Sequence, residues 1–172
     1  MELRKATMAD FDQIMTILRD GANQLAESGV NQWQGEYPSP DQIKEDIKQG
    51  WAFLAMSDDQ ETVGAISIVS APDHDYDNLD GHWLNPSDRY VVIHRVAIHS
   101  NHAGKGYATK LLSAVIDGIK RNRPDIDSIR IDTHEDNLAM QHLIDKMGFK
   151  RVGSLHGVYR QDETSYVYEL VK

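Results

Sequence analysis

The sequence predicts a mixed α/β (α+β) domain, in which helices cover the faces of one mixed β-sheet. Short strand-like apolar runs alternate with amphipathic helical stretches along the chain, a pattern typical of such layered folds. Residues 90–98 are rich in β-branched side chains and apolar on both faces, as expected for a central strand covered on both sides. Across a glycine turn, a helix-spaced apolar stripe from Ala108 to Ile119 supplies one of these covers.

The length and composition indicate one globular domain. Domains commonly span about 100–200 residues, so we expect the 172 residues, 1–172, to form a single domain. Hydrophobic residues make up 40% and charged residues 26%, as in ordinary soluble proteins. The absence of cysteine excludes disulfides, cysteine-ligated zinc and a cysteine nucleophile.

The net charge and the lack of long apolar runs exclude some classes of binding partner. The net charge of −9 argues against nucleic acid, because its phosphate backbone repels an acidic surface. No secretory signal is apparent, and no apolar run approaches the roughly 20 residues that span a bilayer. We therefore expect no membrane partner and a cytoplasmic location.

The N-terminal half predicts one strand, two helices and two further strands. Thr7 and Asp10 have the spacing of a helix N-cap with an acidic third residue. Ser39 and Pro40 have the residue types of an N-cap and a first helical position. The predicted segments are strand 2–6, a helix from about residue 9 into the twenties, a helix from residue 40 that stops at Gly50, and strands 51–56 and 63–69.

The C-terminal half begins with a polar excursion, residues 71–89, which we expect to lie as a loop over one edge of the sheet. Apolar periodicity then predicts the central strand, its helix closed by residues 122–125, a strand at 128–133, a helix at 137–147, a strand from Phe149 and a last strand at 165–171. The predicted order is β-α-α-β-β-β-α-β-α-β-β.

The glycine turn after the central strand has the features of a phosphate-binding loop. Its sequence is Ala103-Gly104-Lys105-Gly106-Tyr107-Ala108. Glycines allow a sharp turn and close approach of a ligand, and the free N–H groups of a first helical turn attract anions. The spacing excludes a Walker A loop, and Thr109 replaces the third glycine of a dinucleotide-binding fingerprint. A tight connection without a ligand is the alternative.

Two stretches resemble the GNAT acetyltransferases. The glycine turn is similar to their pyrophosphate loop, Gln/Arg-x-x-Gly-x-Gly/Ala, with Ala103 first, Gly106 fourth and Ala108 sixth. The run Asn137-x-x-Met140-x-x-Leu143-x-x-x-x-Gly148-Phe149 looks like the family's segment after its fifth strand. The predicted element order is also similar to the GNAT fold, so the resemblance covers essentially the whole chain.

The resemblance implies an N-acetyltransferase that moves an acetyl group from acetyl-CoA, its co-substrate, to a primary amine of a small molecule or peptide by direct attack. Pantetheine would pair with the central strand at Val96 and Ile98, and Asn137 would reach that arm or cap the following helix. A homodimer is the assembly that the resemblance suggests. The pyrophosphate would bind the amides of the glycine turn, from Ala103, Gly104, Lys105, Gly106, Tyr107 and Ala108.

Two positions depart from the family pattern. Ala103 stands where Arg or Gln is usual, so the turn relies on its amides and Lys105. Ile144 stands where many members carry a tyrosine that protonates the departing thiolate. Another group must fill that role, or the thiolate leaves unaided, since thiols have pKa values of about 8–9. Both departures favour an alternative function, a non-catalytic acyl-CoA-binding or regulatory module on the same fold.

The resemblance also calls for a base, because an alkylamine with a pKa of about 10.4 arrives mostly protonated. The candidates are His94 in the central strand and His134 at the end of the next strand, since both strand ends flank the cleft expected in this fold. Imidazole in general titrates near neutral pH. Each histidine could instead serve only packing or a turn, and Tyr90 and Glu135 are reserves.

Three further groups of residues give weaker indications of a binding site. The eight histidines show no metal-binding spacing, so we expect no metal. Asp73, Asp75 and Asp77 begin like a calcium loop but lack its later glycine and glutamate, so we interpret them as solvated. Trp33 and Tyr37 lie in a segment that borders the acceptor site in the GNAT fold, where they would shape that site or anchor the loop.

Overall fold

The computed structural model describes residues 1–35 and 37–172. Within these ranges the elements follow the predicted order, with one added strand inside the 71–89 excursion. Short 3-10 helices lie at Met8–Asp10, His74–Asn78 and Ser100–His102. In chain order the helices and strands are β1 (Glu2–Lys5), α1 (Phe11–Glu27), α2 (Pro40–Lys48), β2 (Ala52–Met56), β3 (Thr62–Ser70), β4 (Asp80–Gly81), β5 (Tyr90–Ile98), α3 (Tyr107–Asn122), β6 (Ser128–His134), α4 (Leu138–Lys146), β7 (Lys150–His156) and β8 (Thr164–Val171).

Side-chain caps lie at the predicted places before the first two helices. The carboxylate of Asp10 accepts the N–H of Thr7 at 2.8 Å, and this capping box opens the turn that leads into α1. Ser39 Oγ accepts the N–H of Gln42 at 3.1 Å, with Pro40 as the first residue of α2. The predicted start of α2 is confirmed, whereas Thr7 caps the 3-10 turn and α1 itself begins at Phe11, slightly later than predicted.

In the described ranges, eight strands form one sheet in the order β1-β2-β3-β5-β6-β8-β7-β4. The central strands β5 and β6 are parallel, and their pairing ends at Ile93 and Ile131. Beyond that point β5 stays paired with β3 as far as Ile98, whereas β6 stays paired with β8 as far as His134. The two central strands therefore separate and leave a cleft between their carboxyl ends.

A bulge in β5 lies where the strands separate. Between His94 and Ala97 the strand has two residues opposite one residue of β3, and Arg95 takes a left-handed φ of 53°. This conformation is strained for a non-glycine residue, so the surrounding structure must hold it. Arg95 Nη2 donates to Oδ1 of the buried Asp46 at 2.9 Å, Arg95 Nε donates to Oδ2, and Ser67 Oγ donates to the same carboxylate at 2.7 Å. A buried ion pair thus holds the bulge.

Helices cover both faces of the sheet. α3 and α4 pack on one face, where Leu111 and Ile144 are fully buried. α1 and α2 pack on the other face around Leu18 and Ile43. In β5, Val91 and Ile93 are buried with α3, and Val92 is buried on the other face with Tyr76 from the 71–89 loop, which confirms that this strand is covered on both faces. None of the helices in residues 1–35 and 37–172 is long and apolar enough to cross a bilayer.

The 71–89 excursion lies over one edge of the sheet, as predicted. Its strand β4 pairs with β7 at the end of the strand order. Trp83 packs over the guanidinium of Arg130 at 3.6 Å, and the fully buried Glu169 accepts the N–H of Leu84 at 2.6 Å. These contacts fix the loop on β6 and β8, so its residues near the cleft have defined positions.

Candidate active site

The separation of β5 and β6 creates a cavity of about 320 Å³ at their carboxyl ends. Five residues for which the sequence analysis considers a role in the site line it together: Trp33 and Tyr37 from the α1–α2 segment, His94 and Val96 from β5, and His134 from the end of β6. The cavity therefore brings both candidate bases to one place. Its other walls come mainly from the α1–α2 segment, β6 and the β7–β8 turn, and include Gln32, Asp132, Tyr159, Arg160 and Glu163.

His94 is held by a carboxylate from the 71–89 loop. Its Nε2 lies 2.8 Å from Oδ2 of Asp73, and only 11% and 12% of the two side chains are exposed, so Asp73 is not solvated as the sequence suggests. Burial alone would raise the pKa of Asp73, but the hydrogen bond and the charge of His94 outweigh burial and lower it. An ionised Asp73 only accepts, so neutral His94 carries its proton on Nε2 and a lone pair on Nδ1. In the described ranges no hydrogen bond uses that Nδ1.

A second cavity, of about 390 Å³, opens on the other side of His94. The guanidinium of Arg95, which lies between the cavities, is occupied by Asp46 and by Tyr37 Oη, to which Nη1 donates at 2.9 Å. The two cavities share the residues Tyr37, His94, Arg95 and Tyr159. The second cavity combines apolar and aromatic walls with two carboxylates, through Trp51, Val69, Pro72, Val158, Asp73 and Asp75. The second cavity, called the acidic cavity below, and the cleft cavity therefore share the imidazole of His94 as part of their walls.

His134 is almost fully buried, with 4% of its surface exposed. Its Nδ1 accepts the backbone N–H of Asp136 at 3.0 Å, and its Nε2 has no hydrogen-bond partner in the described part of the chain. Oε1 of Glu163 lies 3.6 Å from that Nε2. Because Nδ1 accepts, a neutral His134 carries its proton on Nε2 and has no free lone pair on either ring nitrogen.

Asp132 lines the cleft cavity and binds two tyrosines that the sequence does not single out, Tyr159 in the cavity wall and the buried Tyr76. Tyr159 donates to its Oδ2 and Tyr76 to its Oδ1, each at 2.8 Å. Burial, followed by the charge of Asp132, raises the pKa of both phenols well above the usual value, so both stay neutral. The sequence gives no clear signal for this group, because Asp132 stands among the polar residues Arg130, Thr133 and His134 of β6 and the two tyrosines belong to no motif.

Gln32 occupies the cleft edge of β6. Its Oε1 accepts from Thr133 Oγ1 at 3.2 Å, from the N–H of His134 at 3.4 Å and from Nδ2 of Asn137 at 2.9 Å. Oδ1 of Asn137 accepts the N–H of Met140 at 3.1 Å and so caps α4. Helix capping is therefore the observed role of Asn137, and its contact with pantetheine stays a prediction.

The end of β5 turns backbone groups toward the cleft. The N–H of His99 donates to the carbonyl of Val63 on β3 at 2.9 Å, so strand alternation directs the backbone groups of Ile98 the other way. The carbonyl of Ile98 accordingly accepts Nε2 of Gln24 from α1 at 2.9 Å. Val96, two residues earlier, is part of the bulge and lines the cavity.

The glycine turn lies beyond the cavity, between β5 and α3. Gly104 and Gly106 both have a φ of 76°, a conformation that favours glycine, and the space around each is open. Residues 103–106 are exposed. Tyr107 and Ala108 begin α3, and the N–H groups of a first helical turn have no acceptor within the helix. The turn therefore presents amides to solvent, as an anion site requires.

The family model for the acetyltransferase (GNAT) family matches residues 20–149. The chain belongs to the GNAT family. The matched range includes β5, the glycine turn, β6 and α4, and so contains most of the candidate site. GNAT proteins are acetyltransferases that use acetyl-CoA as co-substrate, which makes this chain an acyltransferase by family. No curated protein matches the sequence.

Solved GNAT structures share the fold along the chain. A GNAT acetyltransferase from Streptococcus agalactiae is 30% identical, with a TM-score of 0.87, over 99% of this chain and 95% of that one. One from Listeria monocytogenes is 24% identical, with a TM-score of 0.75, over 99% and 94%. A variant of spermidine N-acetyltransferase from Vibrio cholerae is 16% identical, with a TM-score of 0.67, over 99% and 95%. The last two show likeness of fold alone.

The two departures from the GNAT pattern lie in different surroundings. Ile144 is fully buried with Leu111 and Phe149 in the core and does not line the cleft cavity, so no proton donor stands at that position. Ala103 is exposed in the glycine turn, beside the exposed Lys105. No cluster of side chains in the described residues could hold a metal ion.

Proposed function

We propose that this GNAT protein transfers the acetyl group of acetyl-CoA to a primary amine by direct attack. The observation that carries the proposal is the position of His94 between the cleft cavity and the acidic cavity. The thioester would enter from the cleft and the amine from the acidic cavity, so that both reactants meet beside one imidazole. Holding two reactants in this way replaces an encounter in solution by a reaction within one complex.

The donor side has groups that suit acetyl-CoA. The pyrophosphate would bind the exposed amides between Ala103 and Ala108, and the α3 dipole and Lys105 would add positive charge. Pantetheine would follow the cleft edge of β5 at Val96 and Ile98 like an added strand. An amide on that edge would also polarise the thioester carbonyl and stabilise the oxyanion of the tetrahedral intermediate.

His94 is the better placed of the two candidate bases. Its Nδ1 lone pair can accept the proton of the amine, while Asp73 holds Nε2 and stabilises the imidazolium that forms. His134 offers no lone pair, because its Nδ1 already accepts from Asp136. We therefore assign the base to His94. The chain has no cysteine to carry an acetyl group, which also favours direct attack.

The acidic cavity favours an acceptor that is cationic and partly apolar. Asp73 and Asp75 supply negative charge, and burial, followed by the charge of Asp73, raises the pKa of Asp75. A bound ammonium group would relieve that repulsion between carboxylates. The ring faces of Trp51 and Tyr37 in the same cavity suit an alkylammonium chain. Small amines with a second positive charge and short basic peptides are the acceptor class that we propose.

Release of free CoA tests this function. The protein is incubated with acetyl-CoA and a panel of monoamines, polyamines and short peptides, with the acetylated product identified by mass spectrometry. Turnover with a cationic amine should disappear in His94→Ala and persist in the control His142→Ala, whose side chain is exposed on α4.

Thermal stabilisation by CoA provides the companion measurement, because a ligand of the native state raises the melting temperature. His94→Ala should still be stabilised. Stabilisation of the wild type without turnover of any amine would favour the alternative, a non-catalytic acyl-CoA-binding module. Absence of stabilisation would contradict both functions.

A further inference from the structure

The carboxamide of Gln32 is oriented by three donors on the β6 side of the cleft. Its Oε1 accepts from Thr133 Oγ1 at 3.2 Å, from the N–H of His134 at 3.4 Å and from Nδ2 of Asn137 at 2.9 Å. A backbone N–H can only donate, so the contact with His134 identifies the oxygen of this amide. The amide nitrogen, Nε2, therefore lies on the side away from these donors.

The N–H groups of this nitrogen are available to a ligand. Gln32 lines the cleft cavity and is partly exposed, and none of the described residues accepts a hydrogen bond from its Nε2. The buried side-chain atoms that lack a partner in residues 1–35 and 37–172 do not include this nitrogen. Nε2 is therefore accessible, and it offers two N–H groups to a ligand in the cavity.

Asn137 lies behind Gln32 rather than at the cavity. Both polar atoms of its side chain are used, because Oδ1 accepts the N–H of Met140 and Nδ2 donates to Gln32. Only 8% of Asn137 is exposed, and it does not line the cleft cavity, whereas Gln32 does. The carboxamide that a ligand meets at this edge of β6 is therefore that of Gln32.

A pantetheine arm bound along β5 needs a partner on its other side. An extended chain that pairs with β5 on one edge directs the amide groups of its second edge toward β6. These groups would be buried in the cleft, where a carbonyl without a donor is unfavourable. The N–H of His134 at this edge already donates to Gln32, so Nε2 of Gln32 is the donor that remains there.

We propose that Nε2 of Gln32 donates a hydrogen bond to an amide carbonyl of the pantetheine arm, and that Asn137 is a positioning residue that acts only through Gln32. The proposal rests on the function proposed above. It is an alternative to the direct contact between Asn137 and pantetheine that the sequence predicts. The α1–α2 segment, which brings Trp33 and Tyr37 to the cleft cavity, would thus also bind the donor.

The affinity for product CoA, measured by calorimetry, tests this contact. Gln32→Leu removes the carboxamide, whereas Gln32→Glu keeps an oxygen for the three donors on β6 and α4 but, when ionised, cannot donate. Both variants should bind CoA about tenfold more weakly than the wild type. The control is Asn31→Ala, which removes a neighbouring anchor of the same segment, a bond to Glu163 at 2.7 Å, and should bind CoA like the wild type.

Shorter donors locate the contact along the cofactor. S-acetylpantetheine keeps both amide carbonyls of the arm, so Gln32→Glu should raise its KM by the same factor as the KM for acetyl-CoA, with little change in kcat. A simple alkyl thioacetate has no amide. Its kcat/KM should therefore be the same for Gln32→Glu and the wild type.

A double-mutant cycle tests the role of Asn137. Asn137→Asp keeps an oxygen that can cap α4 but loses the donor to Gln32. It should weaken CoA binding severalfold in the wild type and add little to Gln32→Leu, because both changes interrupt one chain of hydrogen bonds. Additive losses would show that Asn137 contacts CoA by itself and would overturn its assignment as a positioning residue.

The remaining outcomes separate this contact from the proposed function. If Gln32→Glu binds CoA as tightly as the wild type, Gln32 only anchors its segment, and the proposal is overturned while the proposed function stands. Failure of the wild type to bind CoA would overturn the donor site and this contact together. If Gln32→Leu does not fold, Gln32→Glu decides, because it keeps the anchoring oxygen.

Discussion

The carboxylate of Asp73 lies 2.8 Å from Nε2 of His94, although 21 residues separate the two in the chain. The hydroxyl of Tyr90 accepts the N–H of Asp73 at 2.9 Å and fixes the loop at this point. The 71–89 loop, which covers the edge of the sheet, thus places a carboxylate beside the central strand β5. An imidazole held at Nε2 presents one defined lone pair, at Nδ1, and the residue lines both cavities.

The first prediction concerns this carboxylate. Asp73→Asn should lower kcat/KM roughly tenfold to hundredfold, because the imidazolium that forms during proton transfer loses its counter-charge. Asp77→Asn, which changes an exposed carboxylate of the same loop, should leave kcat/KM unchanged. Equal behaviour of the two variants would remove Asp73 from the mechanism.

Local sequence patterns predict the central part of this site and miss its periphery. β5 and α3 follow from apolar periodicity, and the glycine turn between them follows from residue types that permit a positive φ. Asp73 looks like one of several acidic loop residues, because its partner His94 is a long-range contact that no local pattern encodes.

The bulge at Arg95 illustrates the same limit. Arginine has no preference for a left-handed backbone, so the sequence gives no sign that the strand bulges there. The cause lies elsewhere in the chain, in the buried Asp46 of α2. Tyr159 likewise takes its place through Asp132, which is distant in sequence. Residue spacing identifies part of the site, and contacts between separate elements position the rest of its residues.

The second prediction concerns the acceptor. Asp75→Asn should raise the KM for cationic amines severalfold with little change in kcat, because its charge attracts the substrate without contacting the reacting atoms. The effect should shrink at high ionic strength, where exposed charges are screened. Asp58→Asn removes the same charge from a distant exposed site and is the matched control. An unchanged KM in Asp75→Asn would exclude the acidic cavity as the acceptor site.

The third prediction concerns the ion pair under the bulge. Asp46→Ala should lower the free energy of unfolding by about 3–5 kcal/mol, because it leaves the buried guanidinium of Arg95 without its partner. Chemical denaturation measures the change. Arg123→Ala breaks an exposed pair with Asp125 and should have little effect. A loss no larger than that of Arg123→Ala would show that something other than this ion pair holds the bulge.

The fourth prediction concerns the glycine turn. Gly106 has a φ of 76° with open space around it, so Gly106→Ala adds backbone strain of about 1 kcal/mol without a clash. Strain at this residue would turn the exposed amides away from a pyrophosphate. The KM for acetyl-CoA should therefore rise about tenfold, the equivalent of about 1.4 kcal/mol.

Two controls separate loss of pyrophosphate binding from a general loss of stability. Gly29→Ala imposes the same strain, since Gly29 has a φ of 75° and open surroundings, but it lies after α1, away from the turn. It should leave the KM for acetyl-CoA unchanged. S-acetylpantetheine lacks the pyrophosphate, so its KM should be the same for Gly106→Ala and the wild type. An equal rise in KM for both donors would locate the effect in the cleft and contradict a pyrophosphate site at the glycine turn.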